Sequence, residues 1–232
     1  MSSSARDDFL RRVQQALQEG NRPGAAADIP PRGAVGYQGG GPDPLAHFCQ
    51  ELTAAGGQAH PVRDQDQAVA KVLELVRESG ARTALLGRGA FVDGLGLEAH
   101  LTGQGVAVVT PEGVSAPTAR EPLFAADIGI TGVDFLIAET GSVALLARPG
   151  EPRSFSLLPP VHIAVAHHSQ ILPDLFDLFA RLGAKPADGA GRVKMPSCVS
   201  LITGPSKTGD IELRLVTGVH GPGAIHVVLV TG

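Results

Sequence analysis

A glutamate and two hydroxyl side chains stand together where two apolar runs meet in "FLIAETGSVALL", residues 135–146. Alternation in the first run carries Glu139 on one face of a strand, and the chain then reverses at Thr140 and Gly141 and returns from Ser142. Glu139 is therefore a candidate catalytic proton acceptor, and the next three residues are candidate ligand-binding residues. The alternative is that Glu139 and Thr140 only make local turn hydrogen bonds, and the sequence leaves both interpretations open.

The loop "GPSKTGDIE", residues 204–212, offers glycines, hydroxyls and one lysine directly after an apolar run. Loop amides, a helix N-terminus and a cation together favour a bound carboxylate or phosphate, and Thr208 is a suitable cap for a short helix starting near Gly209. However, "DIELRL" also alternates like a strand, and its two acids would themselves satisfy a helix terminus, so a plain chain reversal is the alternative. The candidate ligand-binding residues of this loop are Gly204, Ser206, Lys207, Thr208 and Asp210.

His220, in "GVHGPG", is the last candidate ligand-binding residue. The glycines on both sides would let the backbone approach a ligand closely, although they also suit a tight turn. No pair of histidines has the spacing of a helical metal site, so no metal is expected.

Composition excludes several classes of function. The net charge is −4 and no Lys/Arg-rich stripe is present, which argues against nucleic-acid binding. The two cysteines, Cys49 and Cys198, are far apart and cannot hold a zinc ribbon or an iron–sulfur cluster by themselves. Any redox chemistry would therefore use a cofactor on another molecule.

No targeting segment is evident at the N-terminus, which begins "MSSSARDDFLRR". No apolar run approaches the roughly 20 residues of a membrane-spanning helix. The sequence therefore predicts a cytoplasmic protein without a membrane span.

Two parts of the chain differ in composition. Residues 5–19 have the apolar spacing of a short amphipathic helix, and 12 of the next 25 residues, Gly20 to Pro44, are glycine or proline. We therefore predict a helical arm with a Gly/Pro-rich linker over residues 1–44 and one α/β domain over residues 45–232.

Within residues 45–232, helical and strand patterns first alternate, as in "LAHFCQELTAAGG", "QAVAKVLELVRESG", "RTALLG" and "VAVV". This alternation indicates a mostly parallel sheet covered on both faces. From residue 127 onwards, four apolar runs follow one another directly, and then come a helix over "ILPDLFDLFARLG" and the strands "CVSLITG" and "AIHVVLV". Because open α/β sheets bind ligands at strand ends, we expect residues 139–142 and 206–210 to line a common pocket.

Four ordered motifs carry a family resemblance: "DIGITGVDFLIAETGSVALL", "LLPPVHIAV", "LITGPSKTGDIE" and "GVHGPGAIHVVLV". Residues 120–232 closely resemble the LUD-domain family, in its lactate-utilization branch. The resemblance implies a Rossmann-like three-layer fold of the type shared by glucosamine-6-phosphate deaminase, ribose-5-phosphate isomerase and CoA transferases. It also implies partners that carry iron–sulfur clusters, with which the family supports oxidation of L-lactate to pyruvate.

Two hypotheses about function remain. In the first, the protein is an accessory or substrate-handling subunit that works with iron–sulfur partner proteins and holds a small anionic ligand. In the second, it is a stand-alone enzyme or binding protein for a small anionic or phosphorylated metabolite, as related CoA-transferase-like and cyclo-ligase folds are. A homo-oligomer is compatible with either hypothesis.

Overall fold

The computed structural model describes residues 3–20, 39–114, 120–148, 151–183, 196–209 and 215–232. The chain divides into two compact units, Met1–Gln38 and Gly39–Gly232. The first unit contains the predicted amphipathic helix, α1 (Ser3–Gly20), on which Phe9, Leu10 and Val13 are exposed. The second unit contains all of the strands described below.

The described residues of the second unit form seven further α-helices and twelve strands. The helices are α2 (Pro44–Ala54), α3 (Gln65–Glu78), α4 (Ala90–Gly94), α5 (Leu97–Gly103), α6 (Arg120–Phe124), α7 (Ser154–Leu157) and α8 (Leu175–Gly183). The strands are β1 (Gln58–Val62), β2 (Thr83–Leu86), β3 (Ala107–Val109), β4 (Ile128–Gly132), β5 (Phe135–Ile137), β6 (Ser142–Leu146), β7 (Val161–His167), β8 (Ile171–Leu172), β9 (Val199–Ile202), β10 (Lys207–Gly209), β11 (Leu215–Thr217) and β12 (Ala224–Val230).

Six strands form a parallel sheet in the order β1-β12-β7-β4-β2-β3, and each neighbouring pair is parallel. Its central strands are apolar on both faces, because Ile163 and Val165 of β7 face one hydrophobic cluster while Ala164 and Ala166 face another. A strand buried on both sides must be apolar throughout, which explains the continuous apolar runs in the sequence. The predicted α/β class with a mostly parallel sheet is confirmed.

Different layers cover the two faces of the parallel sheet. On one face, α3, α4 and α5 close the largest hydrophobic cluster. On the other face lie α2 and a second sheet of order β8-β5-β6-β9, in which β5, β6 and β9 are antiparallel. Helix α8 packs on the far side of the second sheet through Leu178 and Leu182. The arrangement is the Rossmann-like layered fold that the resemblance implies.

One local prediction was wrong. The helix expected from Ile171 starts only at Leu175, because Leu172 precedes Pro173 and is held extended, and the Asp174 side chain then accepts a hydrogen bond from the Asp177 amide. Lys207–Gly209 pairs with Leu215–Thr217 as an antiparallel ladder, so Gly209 lies in a strand. The residues that would continue the short helix expected near Gly209 lie outside the described residues.

None of the helices in the described parts of the chain combines the length and apolarity needed to cross a membrane.

Candidate functional site

The glutamate motif forms a tight turn between two strands of the second sheet. Strand β5 ends at Ile137, so Glu139 lies in a 3-10 turn, Ala138–Thr140, and not on the strand face that alternation predicts. Its amide donates to the Pro173 carbonyl at 3.0 Å. The turn is completed by Gly141 at φ 62°, and the chain returns as β6.

The close approach of the turn to α2 explains why position 141 needs a glycine. A Cβ added there would lie 2.1 Å from the Leu52 amide nitrogen of α2, which is far inside van der Waals contact. Gly141 also adopts a left-handed conformation that costs other residues about 1–2 kcal/mol. The turn therefore packs backbone to backbone on α2, which leaves no space for a ligand at that point.

A row of three hydroxyls joins the glutamate turn to the second predicted motif. Ser142 Oγ, which is buried, lies 2.7 Å from Thr140 Oγ1 and 2.5 Å from Thr203 Oγ1. Gly204 follows at φ 79°, and a Cβ there would lie 2.6 Å from the Ala55 carbonyl oxygen. Thr203 and Gly204 thus lie beside the glutamate turn along α2, while a common pocket lined by residues 139–142 and 206–210 stays a prediction.

Lys207 has a protein partner. Its Nζ donates to the Ala55 carbonyl at 2.6 Å, directly after α2 ends. A cation is favourable at this place, because the last carbonyls of a helix carry partial negative charge and lack intrahelical partners.

The other predicted residues follow the loop into the next turn. Ser206 exchanges backbone hydrogen bonds with the loop that carries His220: its amide donates to Pro222 O, and its carbonyl accepts from Gly218. His220 is exposed. Thr208 pairs with Val216 in the β10–β11 ladder. Asp210 lies outside the described residues.

These predicted residues gather at the amino edge of the parallel sheet. Gly218 and Pro222 precede β12, and Ala55 lies between α2 and β1. Ligands of open α/β sheets bind at the opposite edge, where the parallel strands end. The motifs also belong to antiparallel strands, to which that rule does not apply.

At the carboxyl edge, a cavity of about 30 Å³ lies where the sheet topology changes direction. From β2 the chain continues outward to β3, then returns to β4 and proceeds toward the other edge through β7 and β12. The crevice between β2 and β4 is therefore the topological switch point, the usual ligand site of this class of fold. The cavity is lined by residues from both strand ends, from the second sheet and from residues 151–156, which we call the covering segment. These lining residues are Gly87, Thr131, Gly132, Leu145, Leu146, Ala147, Glu151, Pro152, Arg153, Phe155, Ser156 and Ser200.

The covering segment is held close to the sheet by Gly129. A Cβ at Gly129 would lie 1.9 Å from the Phe155 carbonyl oxygen, so only glycine lets this segment approach β4. Ser156, which is buried, donates from its hydroxyl to Arg153 O at 3.2 Å. These contacts hold residues 153–156 against β4.

Glu151 is the acidic residue of the cavity lining. Burial raises its pKa, the negative charge of Asp134 adds to that effect, and Arg148 opposes it. Arg148 Nε lies 2.7 Å from Glu151 Oε2, and its guanidinium also pairs with Asp134. A partly buried carboxyl group with a raised pKa, in a cavity at a strand end, is suited to exchanging a proton with a bound molecule.

A buried histidine contacts Thr131, a residue of the cavity lining. His162 is fully buried, and its Nε2 lies 2.9 Å from Thr131 Oγ1. Burial lowers its pKa to about 4, with a further contribution from His226, so the imidazole is neutral at pH 7. Among the residues that the structure describes, none forms a hydrogen bond with His162 Nδ1.

Sequence reasoning missed this cavity. The available signal was Thr131, a single polar residue inside the apolar run "IGITG", followed by the glycine that ends β4. Glu151 and Arg153 stand in a Pro- and Gly-rich stretch without any periodicity, so only the fold brings them to the strand ends. Among the residues whose positions are described, no group of three or more His, Cys, Asp or Glu could hold a metal.

Comparisons with known proteins agree with the fold and the motifs. The family model of the LUD domain matches residues 45–230. Lactate utilization protein C of Halalkalibacterium halodurans is 38% identical over 157 residues, which cover 68% of this chain and 65% of that protein. Lactate utilization protein C of Bacillus subtilis is 41% identical over 106 residues, 46% of this chain and 43% of that protein. The match thus spans less than two thirds of either relative.

Among solved structures, a DUF162 family protein from Deinococcus radiodurans aligns with a TM-score of 0.54 and 22% identity, over 81% of this chain and 96% of that one. This likeness supports the fold. The family-model match covers most of the chain, including every strand of both larger sheets. The chain belongs to the LUD-domain family.

Proposed function

We propose that this protein is a component of a lactate-utilization system, in which it acts as an accessory or substrate-handling subunit in the oxidation of L-lactate to pyruvate. The observation that carries the proposal is the similarity to proteins named lactate utilization protein C, at 38% and 41% identity in the two relatives above. The cavity at the switch point supports the substrate-handling part, because it lies at the usual ligand site of this fold and a few polar side chains interrupt its mainly apolar lining.

Iron–sulfur partner proteins are the second part of the proposal. Removing two electrons from lactate requires an acceptor, and the chain's two cysteines cannot bind a cluster by themselves. We therefore assign the electron carriers to partner proteins and the handling of substrate or product to this chain.

The test is a reconstitution with purified proteins. Lactate-dependent reduction of a dye is measured for this chain alone, for its iron–sulfur partners alone and for the mixture. The proposal predicts turnover only in the mixture. Robust turnover by this chain alone, or equal turnover with and without it, would contradict the accessory role.

A second candidate function is that of a stand-alone enzyme or binding protein for a small anionic metabolite. The observation that favours it is the position of the cavity at the switch point, which is where self-sufficient α/β enzymes bind substrates. Chemical conversion of a small carboxylate or phosphorylated compound by the purified chain, without partner proteins, would favour this candidate over the first.

A further inference from the structure

We propose that His60 and His226 form a proton-sensitive contact that holds β1 on the parallel sheet. The hydrogen-bonded pair keeps the first half of β1 closed on β12 near neutral pH, and protonation of both rings opens it. Among the described strands, β1 is at the edge of its sheet and has β12 as its single neighbour, so its release breaks one strand ladder only. The inference goes beyond the proposed function, because it concerns a pH-dependent opening and not a substrate.

The first argument is the geometry of the two imidazole rings, which meet end to end. His60 Nε2 lies 3.1 Å from His226 Nδ1, and the ring planes are inclined by 20°. The ring centres are 5.4 Å apart, which is close to the N–N distance plus one ring radius at each end. The two nitrogens therefore lie nearly on the line that joins the centres. The contact is an in-line N–H···N hydrogen bond and not a face-to-face stack.

The second argument is the place of the pair in the sheet. His60 alternates with Val62 and His226 with Val228, and both valines belong to the hydrophobic cluster that α3 closes. The register pairs Gln58 with His226, so His60 reaches diagonally across the ladder between the two strands. Both histidines are partly buried, so protons from solvent reach the rings in the folded protein.

The third argument is the number of protons that the closed pair can carry. When both rings are neutral, one of the two facing nitrogens carries a proton and the other accepts it. One further proton can occupy a nitrogen outside the contact, and the bond then persists as a charge-assisted hydrogen bond. A second further proton places N–H groups on both facing nitrogens, 3.1 Å apart, and brings two positive charges together. Double protonation is therefore incompatible with the closed contact.

The charged groups around the pair lie mainly on α3. Burial lowers the pKa of His60, Lys71 lowers it further, and Glu74 opposes both. Burial also lowers the pKa of His226, the His60 ring adds to that effect, and Glu78 opposes it. Because Lys71 Nζ lies 2.8 Å from Glu74 Oε2, the charges of these two residues largely offset each other at the rings.

The other neighbouring elements leave the sign of the effect unchanged. His162 of β7 interacts with His226 and is itself neutral at pH 7. Helix α2 covers the opposite face of β1, where Ala59 packs. In the closed pair both pKa values lie below the unperturbed value of 6.5, which the rings regain when β1 opens. The closed contact is thus fully favoured above pH 6.5 and is weakened as the pH falls below it.

Two titrating rings make the response steep. Each ring that takes up a proton on opening raises the opening constant by up to about tenfold per pH unit below 6.5. The closed pair can accept one proton but excludes the second, which limits the gain at the acid end. We therefore expect the opening constant of β1 to rise by about 100-fold between pH 7 and pH 5.

The experiment measures hydrogen exchange of backbone amides in the full chain by NMR at pH 7, 6 and 5. Protection factors, which correct for the intrinsic pH dependence of exchange, give the opening constant of each strand. We expect β1 to lose protection by about 100-fold on acidification and to be less protected at pH 5 than β4, an interior strand. Equal protection of β1 and β4 at every pH would show that β1 opens only with the whole domain and would overturn the inference.

Variants assign the response to the pair. His60→Gln keeps an amide that can bond to His226 but takes up no proton, so protection at pH 7 should stay within about 3-fold and the response should fall to about 10-fold. His60→Gln combined with His226→Gln should abolish the response. His162→Gln, which changes another buried histidine of the same sheet, is the matched control and should keep it. A response that survives in the double variant would overturn the inference.

The bond itself has a spectroscopic signature. At pH 7 a ¹⁵N–¹⁵N coupling should connect His60 Nε2 with His226 Nδ1, and it should disappear as β1 opens. The two rings should titrate in two separate steps, as interacting groups do, while the remaining ring in His60→Gln titrates in one. Rings that titrate independently, or that show no coupling at pH 7, would contradict the proposed contact.

Discussion

The Lys207 ammonium group donates to the Ala55 carbonyl at 2.6 Å, across 152 residues of sequence. This contact attaches the β10–β11 hairpin to the end of α2, and Gly204 approaches the same carbonyl from the side. Both contacts satisfy or cover a helix terminus. Lys207, which the sequence predicts to bind an anionic ligand, therefore has a structural role. Its predicted role in ligand binding has to be tested separately from this structural role.

We predict that Lys207→Met lowers the free energy of unfolding by about 0.5–1 kcal/mol, the usual worth of a cation at a helix C-terminus. Methionine keeps most of the apolar length and removes only the donor. Urea denaturation measures the change, with Lys71→Met, which removes a partly exposed helical ion pair with Glu74, as the control. Unchanged stability together with weakened anion binding would instead favour the ligand role.

Gly141→Ala should destabilise the protein by about 3 kcal/mol or more, because steric overlap with α2 adds to the cost of the left-handed conformation. Gly80→Ala is the matched control: its φ is 65°, yet no atom lies within 4 Å of the added Cβ. The control isolates the conformational cost of about 1–2 kcal/mol. Equal losses in the two variants, measured by urea denaturation, would show that the contact with Leu52 is loose.

His162 makes stability depend on pH. Its pKa is about 4 in the fold, against 6.5 for an unperturbed imidazole. Between these values the unfolded chain binds a proton that the folded chain does not, so the stabilisation is complete above pH 6.5 and is lost as the pH falls toward 4. The slope contributed by one such group is about 1.4 kcal/mol per pH unit.

Urea midpoints from pH 7 to pH 4 measure this slope. His162→Gln should flatten the curve, although His60 and His226, whose pKa values are also lowered by burial, keep part of it. An unaltered slope in His162→Gln would mean that this imidazole is not buried in its neutral form.

The unit Gly39–Gly232 should fold without residues 1–38. A chain beginning at Gly39 keeps Asp43, whose side chain accepts from the Ala46 amide at 3.0 Å and caps α2. Starting at Pro44 removes this cap and should cost about 1 kcal/mol. We expect the chain beginning at Gly39 to melt within a few degrees of the full protein. For a domain of this size, a change of 1 kcal/mol in stability shifts the melting temperature by about 4 °C or less. Loss of cooperative unfolding in the longer chain would contradict independence.

The sequence predicts the elements of this fold better than their assembly. Apolar strands such as β7 and β12 are recognisable because burial on both faces demands a continuous apolar run. Strand order is not recognisable from the sequence, since β12 lies between β1 and β7 although it follows β1 by more than 160 residues. Sheet order depends on packing between distant segments, which local periodicity does not record.

The residues of the candidate site were likewise only partly predictable from the sequence. The motifs at Glu139 and Lys207 attract attention because polar residues are concentrated there, and in the structure they support turns and a helix end. Thr131 and Arg153 are single polar residues without a distinctive sequence context, and the topology alone brings them to one cavity. The same topology places His162 against Thr131. Concentration of polar residues in sequence is a guide to tight turns as much as to sites.

The position of β12 also bears on how the chain folds during synthesis. Because β12 lies between β1 and β7 in the parallel sheet, these two strands cannot acquire their shared neighbour until Ala224–Val230 has left the ribosome. Until then their facing edges carry unpaired backbone groups and exposed apolar side chains, which are the features that chaperones recognise and that promote aggregation. We therefore expect nascent chains stalled before Ala224 to remain bound to chaperones, and release to coincide with emergence of β12.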